Sequence, residues 1–227
     1  LKSLGYVLGV AQAVVGALIA ALGSKGTLVM PAFTPQVSDP SRWKDRPFPE
    51  EEIERVRAAL PAFDIDTTPT SMGAIAETFR RWPGAIRSDH PQVSVCAHGP
   101  MASMIVAPHE LAWAQGPGSP FERLYDLGAN VLLLGVGFNR ATMLHYAESR
   151  TPCRRVKTRL VPLGPPERRK WVEVPDVADD LGVHFPAIGA AFLAKDLCRT
   201  GKIAQSDALL VPGRDLVDFA ADYFLKV

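Results

Sequence analysis

Thr142, His145 and Glu148 stand three residues apart in the run Thr142-Met-Leu-His145-Tyr-Ala-Glu148. Side chains at i and i+3 on a helix have Cβ atoms about 5–6 Å apart. A carboxylate at 148 therefore reaches one ring nitrogen of the imidazole at 145. A carboxylate placed there fixes an imidazole tautomer and favours proton uptake at the other nitrogen. Imidazoles are common general bases near neutral pH, and a positioned base contributes on the order of 10²–10⁴-fold in rate. The Thr142 hydroxyl, close to a helix start with free N–H groups, could hydrogen-bond a developing oxyanion. The same spacing also describes a solvent-facing ion pair on an ordinary helix, worth about 0.2–0.5 kcal/mol. Spacing alone leaves both readings open. No His-Glu-x-x-His pattern occurs, so no metal is expected.

A second polar cluster is Arg87-Ser88-Asp89-His90-Pro91. Pro91 favours an extended conformation at His90. The cluster could bind a phosphate or an acyl carrier, or it could be a loop held by its own polar contacts. His98 and His109 read as structural. His184 lies near Asp176, Asp179 and Asp180, an acidic run that fits either a cation site or a solvated turn. The cysteines, Cys96, Cys153 and Cys198, are odd in number and form no Cys-x-x-Cys pair. That argues against a disulfide framework or a zinc site and fits a reducing cytoplasm. Cys153 is nearest in sequence to His145, but nothing in the sequence places it within reach of a base, as a covalent route requires.

The elements that must position these residues can be read from pattern. Residues 8–22 read as a buried, apolar helix ended by Gly23, shorter than the roughly 20 residues of a membrane span. Gly26 leads into a strand over 27–30. A proline-punctuated excursion over 33–70 follows, with one helix over 50–60 whose acidic start suits the helix dipole. Such a connection is often a lid or binding loop. Further helices are expected over 72–82, 100–106 and 121–127, and a strand over 93–97. Residues 131–136 are apolar on both faces and predict a central strand. Asn139 is a good N-cap for a helix reaching Ser149. Basic strands near 156–161 and 171–174, a helix over 186–198, a strand over 208–211 and an amphipathic helix over 215–224 complete the chain. This irregular alternation predicts an α/β fold with a mixed sheet flanked by helices.

With 227 residues the chain can bury one sizeable core, so residues 1–227 are expected to form one domain. The net charge of +1 argues against nucleic acid as the main partner. The chain begins at Leu1 and shows no basic n-region or cleavage site. A short upstream piece is expected to be missing.

In order, Leu1-Lys-Ser-Leu-Gly5 with Gly9, Gly26-Thr-Leu-Val-Met-Pro31, Phe63-Asp64 with Thr68-Pro69-Thr70, and Met72-Gly73 form a recognisable series. It continues through Arg87-Ser88 with His90-Pro91, Gly118-Ser-Pro120, Leu132-Leu-Leu-Gly135, and Thr142 through His145 to Glu148. Together these segments resemble the aminoglycoside 3-N-acetyltransferase family. The resemblance implies transfer from acetyl-CoA to an amine, on an α/β fold distinct from the common acetyltransferase fold, with no metal. It implies that His145 and Glu148 are catalytic and that Thr142 assists at the reacting carbonyl. It implies coenzyme contacts at Lys2, Ser3, Leu4, Gly5 and Val7, with Arg87, Ser88 and His90 in the same pocket. An aminoglycoside is a polycation, so acidic residues are expected to line its side of the cleft. Asp64, Asp66, Glu173, Asp176, Asp179 and Asp180 are the candidates by charge. The implied partners are coenzyme A and a small-molecule amine, with a homodimer through the first helix as a further option. Two departures are the absent His-Ser pair before Leu1 and Gly9-Val10 in place of two glycines. They keep open a non-catalytic coenzyme-binding member, and another small-amine acceptor is a further alternative because the catalytic residues would be the same.

Overall fold

The computed structural model describes residues 2–43, 48–152, 154–178 and 181–227. A 3-10 turn over Lys2–Leu4 precedes helix α1, Val10–Leu22. Strand β1 is Leu28–Pro31, α2 is Glu50–Ala59 and α3 is Ala74–Arg80. Strands β2, Ile86–Arg87, and β3, Val95–His98, lead to α4, Ala102–Val106, and α5, Pro120–Asp126. Strand β4 is Asn130–Leu134 and α6 is Met143–Arg150. Strands β5, Val156–Leu163, and β6, Lys170–Val177, form a hairpin. Helix α7, Phe185–Leu193, strands β7, Arg199–Ile203, and β8, Ser206–Pro212, and helix α8, Gly213–Phe224, close the chain.

The α/β architecture follows the sequence pattern, but the strands do not join into one mixed sheet. Among the described residues they form three antiparallel sheets, ordered β1-β3-β2, β4-β8-β7 and β5-β6. Strand β4 is an edge strand rather than a central one, pairing with β8 from Asn130↔Pro212 to Leu134↔Ala208. One of its faces is core, with Leu133 buried, while Leu132 on the other is exposed. Strand β7, whose residues are all exposed, has no apolar alternation to announce it.

The main core joins β3, α4, α5, α6, α7 and α8 around Phe121, Leu144, Ile188, Phe192, Leu216 and Phe224. Helix α6 lies inside it, with Met143, Leu144, Tyr146 and Ala147 buried. A second cluster joins α1, α3, β1 and β3 through Val15, Phe79, Ala32 and Cys96. Helix α1 departs from the expectation of a buried helix: only Ala11 and Val15 are buried. Among the described residues no helix is long and apolar enough to cross a membrane.

The excursion over 33–70 is fastened at several points. Arg57 bonds Asp39 through two nitrogens, at 2.9 and 2.8 Å, and its guanidinium lies 5.7 Å from the Trp171 ring. Arg169, on the turn of the β5–β6 hairpin, donates to the carbonyls of Arg57 and Leu60 at 2.6 and 2.5 Å. Those are carbonyls at the C-terminal end of α2, which a helix leaves without intrahelical partners.

Candidate active site

The loop from β4 into α6 sets the site. Residues Phe138–Arg140 form a separate 3-10 turn, so Asn139 does not cap α6. Thr142 takes that position, and its side chain makes no capping bond. His145 then lies in the first turn and Glu148 one turn on. Glu148 is fully buried and His145 is about a quarter exposed, at 26% for its side chain. Glu148 Oε2 meets His145 Nδ1 at 2.5 Å. The Phe185 ring from α7 stands edge-on to the imidazole, 5.0 Å between centroids. A buried carboxylate on one nitrogen and an aromatic wall fix the ring, while its remaining exposure leaves an approach from solvent. Such a ring can take a proton from an incoming nucleophile.

At the other end of this loop, Gly135 to Gly137 line an open depression of about 430 Å³ with Ser3, Gln205, Ser206 and Asp207. Gly135 has φ +62°, and a Cβ there would sit 2.0 Å from Ser3 Oγ and 2.3 Å from Ser206 Oγ. Only glycine permits both this left-handed turn and the close approach of the N-terminal segment. Of the N-terminal candidates, Lys2 and Ser3 are exposed, Gly5 and Val7 are half-buried, and Leu4 is buried as a packing residue. The lining from Gln205 to Asp207 escapes sequence reading because it spans the β7–β8 turn and the start of β8, and β7 has no periodic signal.

Arg87, Ser88 and His90 are all buried and bonded within the fold. Arg87 donates to Ser94 Oγ at 2.9 Å, Thr68 O at 2.6 Å and Ala32 O at 2.8 Å. Burial lowers its pKa from the usual guanidinium value. His109 Nε2 lies 2.8 Å from the Ala114 carbonyl, which can only accept, so that nitrogen carries the proton. Nδ1 therefore accepts from Ser88 Oγ at 2.9 Å, and Ser88 Oγ accepts from Val95 N–H. His90 Nδ1 accepts from the amides of Gln92 and Val93, both at 3.1 Å. Burial pushes His90 down to about 3 and His109 down to about 4. These groups hold the loop before β3 through their hydrogen bonds within the fold.

The acidic candidates divide. Asp176 is buried and paired with Arg159, whose Nε lies 2.5 Å from Oδ2, so its charge is already neutralised. Asp64 is exposed and accepts from Thr67 Oγ1 and from the amides of Thr67 and Asp66. The Thr67 hydrogen bonds hold its carboxyl below the usual range. Asp66 and Glu173 are exposed. Asp179, Asp180 and Cys153 lie outside the described residues. Cys96 is buried, and burial pushes its thiol up to about 11. Among the described residues no cluster of three His, Cys, Asp or Glu side chains is placed to hold a metal ion.

A sequence model of the aminoglycoside 3-N-acetyltransferase family matches residues 1–225. The chain belongs to that family. The SPbeta prophage-derived aminoglycoside N(3')-acetyltransferase-like protein YokD of Bacillus subtilis (strain 168) is 36% identical over 230 residues, spanning 100% of this chain and 84% of that protein. The YokD crystal structure superposes with a TM-score of 0.93, covering 100% of this chain and 89% of that one. A binary complex of AAC-IIIb with CoASH matches at TM-score 0.85 and 28% identity, over 99% of this chain and 87% of that one. AAC-VIa bound to sisomicin matches at 0.83 and 30% identity, over 98% and 87%. The family is one of acyltransferases, and acetyl-CoA is the donor that fits it.

Proposed function

We infer that the chain transfers the acetyl group of acetyl-CoA to an aminoglycoside amine, at the 3-amino position, by direct attack in a ternary complex. The observation that carries this reading is the 2.5 Å contact between His145 Nδ1 and a fully buried Glu148. An ammonium cannot attack, so the acceptor reacts as the free amine, its first proton having gone to solvent. His145 Nε2 takes a second proton from the nitrogen as it bonds to the thioester carbonyl carbon. Glu148 stabilises the imidazolium, and Thr142 donates to the carbonyl oxygen as it gains charge. The carbon–sulfur bond then breaks, and the proton on Nε2 passes to the departing sulfur. Holding both substrates in one cleft supplies proximity. The donor runs from the depression beside Ser3 towards α6, along Lys2 to Val7. Asp64, Asp66, Glu173, Asp179 and Asp180 remain the acidic residues assigned to the acceptor's ammonium groups.

The test is thiol release from acetyl-CoA in the presence of aminoglycosides, sisomicin among them. His145→Ala should lose release by about 10²-fold or more while unfolding like the parent. Parent-like turnover in that variant would remove the base from the scheme. The neutralised Asp176 favours one other acceptor class, a small amine of lower charge. Release with simple amines and none with aminoglycosides would select it.

A further inference from the structure

Two buried polar atoms have no partner among the described residues: Glu148 Oε1 in the site and Gln115 Nε2 in the loop before α5. Glu148 is fully buried and Gln115 is 8% exposed. One is an acceptor without a donor, the other a donor without an acceptor, and each is costly in a dry interior. The segments that carry them meet. A Cβ on Gly116 would lie 3.0 Å from Ser149 Cβ and 3.2 Å from Ser149 Oγ. Gln115 and Glu148 each precede a member of that contact by one residue. The loop is held under strain. Trp113 has φ +52°, its N–H donates to Pro175 O at 2.9 Å, and Gly116 N–H donates back to Trp113 O at 2.6 Å. Backbone strain of this kind concentrates at functional sites.

We propose that Gln115 is a positioning residue of the transfer reaction. Its amide holds Glu148 Oε1 through one bridging hydroxyl oxygen, and so steadies the carboxylate that orients His145. The bridge must accept from Nε2–H and donate to Oε1. A water or an alcohol does both. The terminal torsion of a glutamate is broad, so a carboxylate held only through Oε2 can still swing; a second anchor stops it. The proposal rests on the His145–Glu148 reading above.

The experiment combines Gln115→Met, which keeps the length and removes the donor, with Glu148→Gln, their double variant and His145→Ala. Gln115→Met is expected to lower kcat about tenfold, the size of one hydrogen bond to a charged group, and to leave the KM for acetyl-CoA unchanged. In the Glu148→Gln background it should add nothing. Full kcat in Gln115→Met, with His145→Ala inactive, overturns this inference alone. Parent-like turnover in His145→Ala overturns the underlying reading instead. An equal kcat loss in both backgrounds shows that Gln115 acts apart from Glu148 and also overturns the proposal. Urea midpoints of the same four-protein cycle give a readout independent of turnover: non-additive shifts support the bridge, additive shifts refute it. An acceptor lacking the hydroxyl beside its amine identifies the oxygen. A deficit that disappears with that acceptor points to the acceptor's hydroxyl, and one that persists points to an internal water.

Discussion

Gly189→Ala is the sharpest test of how α7 is packed behind the site. In an open helix position this change stabilises by about 0.5–1 kcal/mol, because glycine carries excess backbone entropy. At 189 the added Cβ would sit 2.3 Å from Phe138 Cγ, 2.4 Å from Cδ2 and 2.5 Å from Cβ. Carbon atoms in contact prefer roughly 3.5–4.0 Å, so Phe138 must retreat by about 1.0–1.7 Å. Its own Cβ is part of the clash, so ring rotation cannot relieve it and the Phe138–Arg140 turn must move. Overpacking of this kind costs about 1–3 kcal/mol. The clash is severe, so the net loss is set near 2 kcal/mol, or roughly 4–8 °C in Tm for a chain of this size. The same turn leads to Thr142, so kcat should fall as well. Gly16 in α1 is the control. A Cβ there meets only Trp82 Cη2, at an ordinary 3.6 Å. Gly16→Ala should therefore raise stability by about 0.5–1 kcal/mol. Urea unfolding of both variants gives the signs. If Gly189→Ala gains as much as Gly16→Ala, the close packing of α7 on Phe138 is wrong.

Other expectations come from burial and strain. His90 and His109 stay neutral in the fold, at about 3 and about 4, against about 6.5 when unfolded. The unfolded chain therefore binds protons that the folded chain refuses. Stability is complete above pH ~6.5 and falls with decreasing pH by about 1.4 kcal/mol per unit for each histidine; urea midpoints that stay flat from pH 7 to 5 would contradict this. Arg159→Met strands the buried Asp176 carboxylate and should cost about 3–5 kcal/mol, while adding Asp176→Leu should restore much of that loss, measured by the same unfolding curves. Val10 has φ +44° and is 58% exposed. A left-handed backbone costs an L-residue about 1–2 kcal/mol, so Val10→Gly should raise Tm despite its loose helix start.

The pair on α6 was legible because an i,i+3 relation depends only on the local chain. Helices α2, α5 and α8 were legible for the same reason: caps, acidic starts and periodicity are local signals. Burial of polar residues was not. Arg87 reads as an anion ligand until Ala32, Thr68 and Ser94 close around its guanidinium, and those partners lie up to 55 residues away. The burial of His90 and Ser88 was hidden on the same ground. Asp176 looked like a free acid because its partner Arg159 faces it only once the hairpin forms. Strand β4 reads as central because it is apolar throughout, yet its edge position follows from pairing with β8 alone. Gln115 gave no signal, since an amide in a Gly-Pro loop looks like surface.

Arg169 binds the end of α2 to the β5–β6 hairpin, and Trp171 receives Arg57 from the same helix. Two stretches more than a hundred residues apart therefore behave as one interchangeable cassette. An engineer who transplants the proline-rich excursion from a relative should carry positions 169 and 171 along with it. Swapped alone, the foreign segment would arrive without its anchor.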